Sequence, residues 1–265
     1  MKNLKLQRFY WIIGSLLFIV ILAACALPFA GAKTLAAVTN ATPTALFKPT
    51  PTAVTGPTRS TTGNWSGYQV TGNTFTSVEA TWQVPSVTCP ASNARLSIWV
   101  GLSSKTLEQD GTEAICNGST ASYSAWWEMF AGSGSPGKNF FTVAPGDTIF
   151  SSVYYINGMY ALQVTDETSG ITSATLQACN ATCENDTAEW IVEDPGGGSK
   201  YPLANYSTVT IMGAIAGTGS VTGGISAFAD KEINMAQKSV QMSVPTDLAA
   251  GSEGTMFTTT WHADQ

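Results

Sequence analysis

From residue 64 to residue 261 the chain is a succession of short runs rich in β-branched and aromatic residues, each broken by glycine, proline, asparagine or serine. Such runs are too short and too regularly interrupted for long amphipathic helices, but they suit strands that bury one face. Residues 77–84, 94–102, 123–130, 148–156, 159–165, 188–193, 208–213 and 256–261 are the candidate strands. Ala144-Pro145-Gly146-Asp147 supplies one turn, and Ile156-Asn157-Gly158-Met159 carries the Asn-Gly pair of a tight hairpin. Many short strands over roughly 200 residues predict an all-β fold: a two-sheet antiparallel β-sandwich, with a closed barrel as the alternative.

The run Ala188-Glu189-Trp190-Ile191-Val192-Glu193-Asp194-Pro195 is the most informative. Alternation along a strand sends Glu189, Ile191 and Glu193 to one face and Trp190 and Val192 to the other. Glu193 therefore ends a strand just before a proline and a run of glycines, where a sheet usually opens into a loop or cleft. Taken alone, the run also describes a solvated edge strand with exposed glutamates.

The first 62 residues differ in kind. Lys2, Lys5 and Arg8 precede an apolar run over 9–26, and Ala30-Gly31-Ala32 fits a small-residue cleavage site. Residues 1–32 are read as a secretory signal. A retained anchor, or a lipoprotein signal lipidated at Cys25, is the alternative, and only these would make a membrane a partner. Residues 33–62, rich in Thr, Pro and Ala and free of acid, predict a linker or propeptide ahead of a single domain over 63–265. Beyond Cys25 four cysteines remain, an even number that suits disulfides in an oxidising compartment. Local loop closure favours Cys89 with Cys116 and Cys179 with Cys183. The spacings offer no pair of C-x-x-C units and His262 is the only histidine, so zinc is set aside. All 18 acidic residues lie at or beyond Glu79, against six basic residues from Gly63 onward. That balance argues against nucleic acid, and protonation in acid relieves its self-repulsion.

Serine hydrolase chemistry would rest on His262 and lacks a G-x-S-x-G elbow, and no paired D-[TS]-G segments occur. Carboxylates, amides and aromatics remain, suited to acid–base chemistry or to sugar binding on aromatic faces. Six segments narrow the choice: Asn64-Trp65-Ser66-Gly67, Ile98-Trp99-Val100-Gly101-Leu102, Glu108-Gln109-Asp110-Gly111-Thr112, Ala125-Trp126-Trp127-Glu128, residues 143–147 and residues 188–194. In order and spacing they resemble the glutamic peptidases, or eqolisins, over about residues 63–261. The resemblance implies a lectin-like double-sheet sandwich and an endopeptidase active in acid on protein or peptide substrates, monomeric and with no metal or organic cofactor.

Matched by position, the family's catalytic glutamine falls on Gln109 and its glutamate on Glu193. Glu189, about 13 Å away along the strand, is then a neighbour rather than the base. Trp99, Trp126 and Glu128 should line the cleft, and alternation puts Trp126 and Glu128 on one face. In this scheme Glu193 takes a proton from the attacking water and returns one to the leaving amine. Gln109 holds the water and donates to the oxyanion, and Glu128 orients the amide or shifts the titration of Glu193. Ser103 departs from the aspartate that usually follows the family's W-V-G-[IL] segment, and Pro195 stands where an aromatic residue can follow the catalytic strand. Both departures bear on substrate preference and pH optimum. Two other readings use the same residues. One is a carbohydrate-binding module with exposed tryptophans. The other is a glycoside hydrolase pairing Glu128 with Glu193, which needs neighbouring strands and carboxylates about 5–9.5 Å apart.

Overall fold

The computed structural model describes residues 57–130, 137–179, 182–195 and 201–264. The expected signal, both alternatives to it, and most of the 33–62 segment lie outside these residues. The described strands, in chain order, are β1 (Thr58–Thr62), β2 (Trp65–Thr71), β3 (Phe75–Gln83), β4 (Arg95–Ser103), β5 (Leu107–Asn117) and β6 (Thr120–Met129). There follow β7 (Lys138–Thr142), β8 (Thr148–Ile156), β9 (Met159–Asp166), β10 (Ile171–Ala178) and β11 (Thr187–Glu193). The last five are β12 (Thr208–Thr218), β13 (Thr222–Gly224), β14 (Ala229–Gln237), β15 (Val240–Pro245) and β16 (Phe257–Trp261). No helix among the described residues is long and apolar enough to cross a membrane.

Hydrogen bonding joins the strands into one antiparallel ribbon, ordered β10-β9-β8-β3-β12-β16-β15-β14-β2-β11-β4-β5-β6-β7. The ribbon folds back on itself so that β3, β8 and β9 pack on β11, β4 and β5. The expected sandwich is therefore present, with its two layers joined through β16, β15 and β14. The ends, β10 and β7, do not pair, so the ribbon is not a closed barrel.

Period-two alternation builds the interior. Leu96, Ile98, Val100 and Leu102 of β4 and Ala188, Trp190 and Val192 of β11 meet Val78, Trp82, Ile149, Val153 and Leu162 of the other layer. The buried indoles keep partners: Trp190 Nε1 donates to the Glu79 carbonyl at 2.9 Å, and Trp82 Nε1 to Thr112 Oγ1 at 3.0 Å. The opposite face of β14, β2, β11, β4, β5 and β6 carries a second, smaller apolar cluster of Trp99, Trp126, Ile191 and Ile233, with Trp65 and Leu107 against it. The candidate site stands on that face.

The Asn-Gly turn forms as expected, with Asn157 at φ 51° and Gly158 at φ 76° closing the β8–β9 hairpin. Both expected disulfides, Cys89–Cys116 and Cys179–Cys183, are present. One boundary differs from expectation. Thr58–Thr62, assigned by composition to the linker, is a strand that pairs in parallel with Lys231–Met235 of β14. Its threonines and serine tolerate extended backbone, and its ladder partner rather than an apolar face holds it in place.

Candidate active site

Glu193 closes β11 on the face opposite Trp190 and Val192, as alternation requires. Its Oε2 accepts from Trp99 Nε1 at 2.7 Å and its Oε1 from Asn64 Nδ2 at 3.0 Å. Burial pushes the carboxyl up to about 7, against the pull of the donors Trp99, Trp65 and Asn64, and the charge of Glu128 adds to the rise. Asp194 next to it turns the other way and is fully buried, and neither carboxylate oxygen has a hydrogen-bond partner in the protein. It too rises to about 7, through burial first and the charge of Glu193 second.

Gln109 lies on β5 between two acids that turn inward. Asp110 Oδ1 accepts from Ser151 Oγ at 2.6 Å, and Glu108 Oε2 accepts the Phe130 N–H at 3.1 Å. Gln109 itself faces the cleft, where its Nε2 donates to Glu128 Oε2 at 2.9 Å. Its carbonyl oxygen is buried and has no protein partner. Glu128 sits directly across from Gln109 on β6, and its carboxyl is raised by burial and lowered by the Gln109 bond.

The ladders fix how these groups stand to one another. Lys231, Gln69, Glu189, Gly101, Gln109 and Glu128 form one row across β14, β2, β11, β4, β5 and β6. Glu193 belongs to the row of Ser97 and Glu113, four residues further along β11 and two strands from β5. On a flat sheet that offset separates the Gln109 and Glu193 Cα atoms by about 16 Å, with both side chains rising from the same face. Both side chains line a single cleft of roughly 530 Å³, together with Asn64, Trp65, Trp126 and Glu128.

Trp126 lines the cleft, whereas Trp99 lies beneath its floor at 1 % exposure and reaches the site through its indole N–H. Glu189 is buried behind the cleft, taking hydrogen bonds from Gln69 Nε2 at 2.9 Å and Ser103 Oγ at 2.7 Å. Ser103 thus serves Glu189, while Pro195 stands at the cleft wall. Neither rival reading gains from this geometry. Trp126 is 7 % exposed, so neither tryptophan presents a bare face for a sugar ring. The glycoside hydrolase reading needs β6 and β11 to be neighbours, but β4 and β5 lie between them. Asn64 and Trp65 enter the site although sequence reasoning gave them no role; their Asn-Trp-Ser-Gly segment was the available signal. Arg95 and Glu113 also line the cleft and carried no signal until the register was known.

Residues 63–258 match the model of the Peptidase A4 family. Aspergillopepsin-2 of Aspergillus niger is 27 % identical over 200 residues, which cover 61 % of this chain and 66 % of that protein. Scytalido-glutamic peptidase, solved with a transition-state analog inhibitor, superposes with a TM-score of 0.63 at 21 % identity over 76 % of this chain and 98 % of its own. SCP-B, described as a member of the eqolisin family and solved with the tripeptide Ala-Ile-His, gives 0.62 at 20 % identity over the same shares, 76 % and 98 %. Aspergilloglutamic peptidase from Aspergillus niger gives 0.55 at 23 % identity over 64 % of this chain and 99 % of its own. At these identities the solved structures establish the sandwich alone, and the family follows from the sequence match. The chain belongs to the Peptidase A4 family, that of the glutamic peptidases.

Proposed function

We propose that the protein is a secreted endopeptidase acting in acid on protein or peptide chains, with Glu193 and Gln109 as its reacting groups. One observation carries this reading: a single cleft presents an amide with an unpartnered carbonyl oxygen together with a carboxyl that burial keeps neutral below about pH 7. A peptide-based transition-state analog held by scytalido-glutamic peptidase and the tripeptide held by SCP-B support a peptide substrate, and the two disulfides support export.

A neutral carboxyl offers one O–H donor and one acceptor oxygen. Glu193 accepts a proton from the attacking water through one oxygen while the other gives its proton to the scissile carbonyl oxygen, so its own proton count is unchanged. The product is a gem-diol. On collapse Glu193 protonates the leaving nitrogen and recovers a proton from a diol hydroxyl. Gln109 accepts from the water through Oε1, and the Nε2 hydrogen that is not on Glu128 steadies the carbonyl oxygen as charge develops there. Glu128 fixes which way the amide points.

In this mechanism the protonated form of Glu193 is the active one. The kcat/KM for an unfolded protein substrate is expected to be full in acid and to fall as pH rises through about 7. A profile that instead rises through that pH would make the carboxylate the active form, and a folded protein that cleaves nothing at any pH would remove the reading.

A further inference from the structure

We propose that the end of the cleft beyond Glu193 is a subsite for a carboxylate of the peptide substrate, read by Arg95; the inference rests on the peptidase reading above. Ser97 pairs with Glu193, and Arg95 lies two residues from Ser97 on the same face of β4. That puts the Arg95 Cα about 8 Å from the Glu193 Cα, on the side away from Gln109. Arg95 lines the cleft with Ser97, Glu113, Ile115 and Pro195.

The guanidinium carbon sits 4.0 Å from the centroid of the Tyr201 ring, a contact that holds the planar fork in place. Its Nε is buried and donates to no group. No carboxylate among the described residues forms an ion pair with it. Glu113, the acid nearest along the strand pair, takes a hydrogen bond from Ser124 Oγ at 3.2 Å; burial raises its carboxyl, and the Ser124 bond and the charge of Arg95 pull it back down.

A buried, unmet guanidinium N–H in a ligand cleft is costly until an acceptor arrives, and a carboxylate matches the fork with two parallel bonds. At about 8 Å between Cα atoms, Arg95 stands two to three extended residues along from Glu193 and the scissile bond beside it. Two sources supply that group: an aspartate or glutamate side chain within the substrate, or the carboxylate at the substrate's C-terminus.

The test uses the full chain with Glu193→Gln, so that peptides bind uncut, and titration calorimetry at about pH 5.5, where peptide carboxylates are ionised. One peptide set is amidated at its C-terminus and carries a single glutamate walked through the sequence. A second set replaces that glutamate by glutamine. A third has glutamine throughout and a free C-terminal carboxylate. At one position the carboxylate peptide is expected to bind roughly tenfold or more tighter than its glutamine counterpart. Adding Arg95→Gln should erase the difference and Arg95→Lys should keep part of it. A gain in the first set assigns the side chain, and a gain in the third assigns the chain terminus. Equal affinities throughout, or a preference that survives Arg95→Gln, would overturn the subsite. Cleavage by the unaltered protein, measured alongside, separates the two levels: hydrolysis without a carboxylate preference overturns this inference alone, whereas an Arg95-dependent preference without hydrolysis leaves the subsite and removes the peptidase reading.

Discussion

Glu193 is held between burial, which favours its neutral form, and three donors, which favour its charged form. Trp99 is the first of these donors, and its indole belongs to the small apolar cluster under the cleft. Trp99→Phe removes the N–H and keeps most of the ring. Losing a donor to the charged form raises the carboxyl further, so the falling limb of kcat/KM should move up by roughly one pH unit. A limb that moves down would show that the bond does not act on Glu193 in this way. At this scale the placing of Glu193 and Gln109 on one cleft was legible because each sits in a short segment whose residue order is itself the signal. Arg95 and Glu113 were not, because they reach the cleft only through the pairing of β4 with β5, which no local pattern records.

Legibility at the level of elements follows the same division. The β8–β9 hairpin was readable end to end, because alternating apolar residues meet an Asn-Gly turn whose positive φ angles leave few alternatives. β5 escaped notice since it is polar on both faces: Glu108 and Asp110 are buried in the sandwich, while Gln109 and Glu113 face the cleft. β10 is an edge of threonine, serine and alanine beside two exposed apolar residues, Ile171 and Leu176, so its only signature is its ladder to β9. β2 must approach β11 closely, and Gly67 allows it. A Cβ there would stand 2.1 Å from the Trp190 carbonyl oxygen, and the residue lies at φ +145°. Gly67→Ala is expected to lower stability by about 2–4 kcal/mol in urea unfolding, whereas Gly63→Ala, with nothing within 4 Å of the added carbon, should change it by less than about 0.5 kcal/mol. Similar midpoints for the two variants would mean that β2 can move away from β11 at little cost.

For the whole molecule the charge pattern predicts a stability curve inverted from the common one. The formal net charge is −6 at neutral pH, and buried carboxyls are raised at Glu193, Asp194, Asp110 and Glu189. Each of these binds its proton more tightly in the folded state than in the unfolded state, where carboxyls titrate near 4. Below about pH 4 both states are protonated and this contribution is fully present. As pH rises from about 4 toward 7 the unfolded state releases protons first, so folding stability falls through the folded pKa values. The melting temperature should therefore be highest in acid and several degrees lower at pH 7 to 8; a curve that climbs from pH 4 to 7 would show these carboxyls to be ionised in the fold. Such a curve also suits a protein that works in acid. The most direct test of the account is mass spectrometry of an unfolded protein substrate incubated at about pH 4 with the full chain, with Glu193→Gln and with Gln109→Ala. New internal cleavages are expected from the unaltered protein, none above background with Glu193→Gln, and a rate lower by about 10²–10³-fold with Gln109→Ala. Undiminished cleavage by a folded Glu193→Gln protein would contradict it.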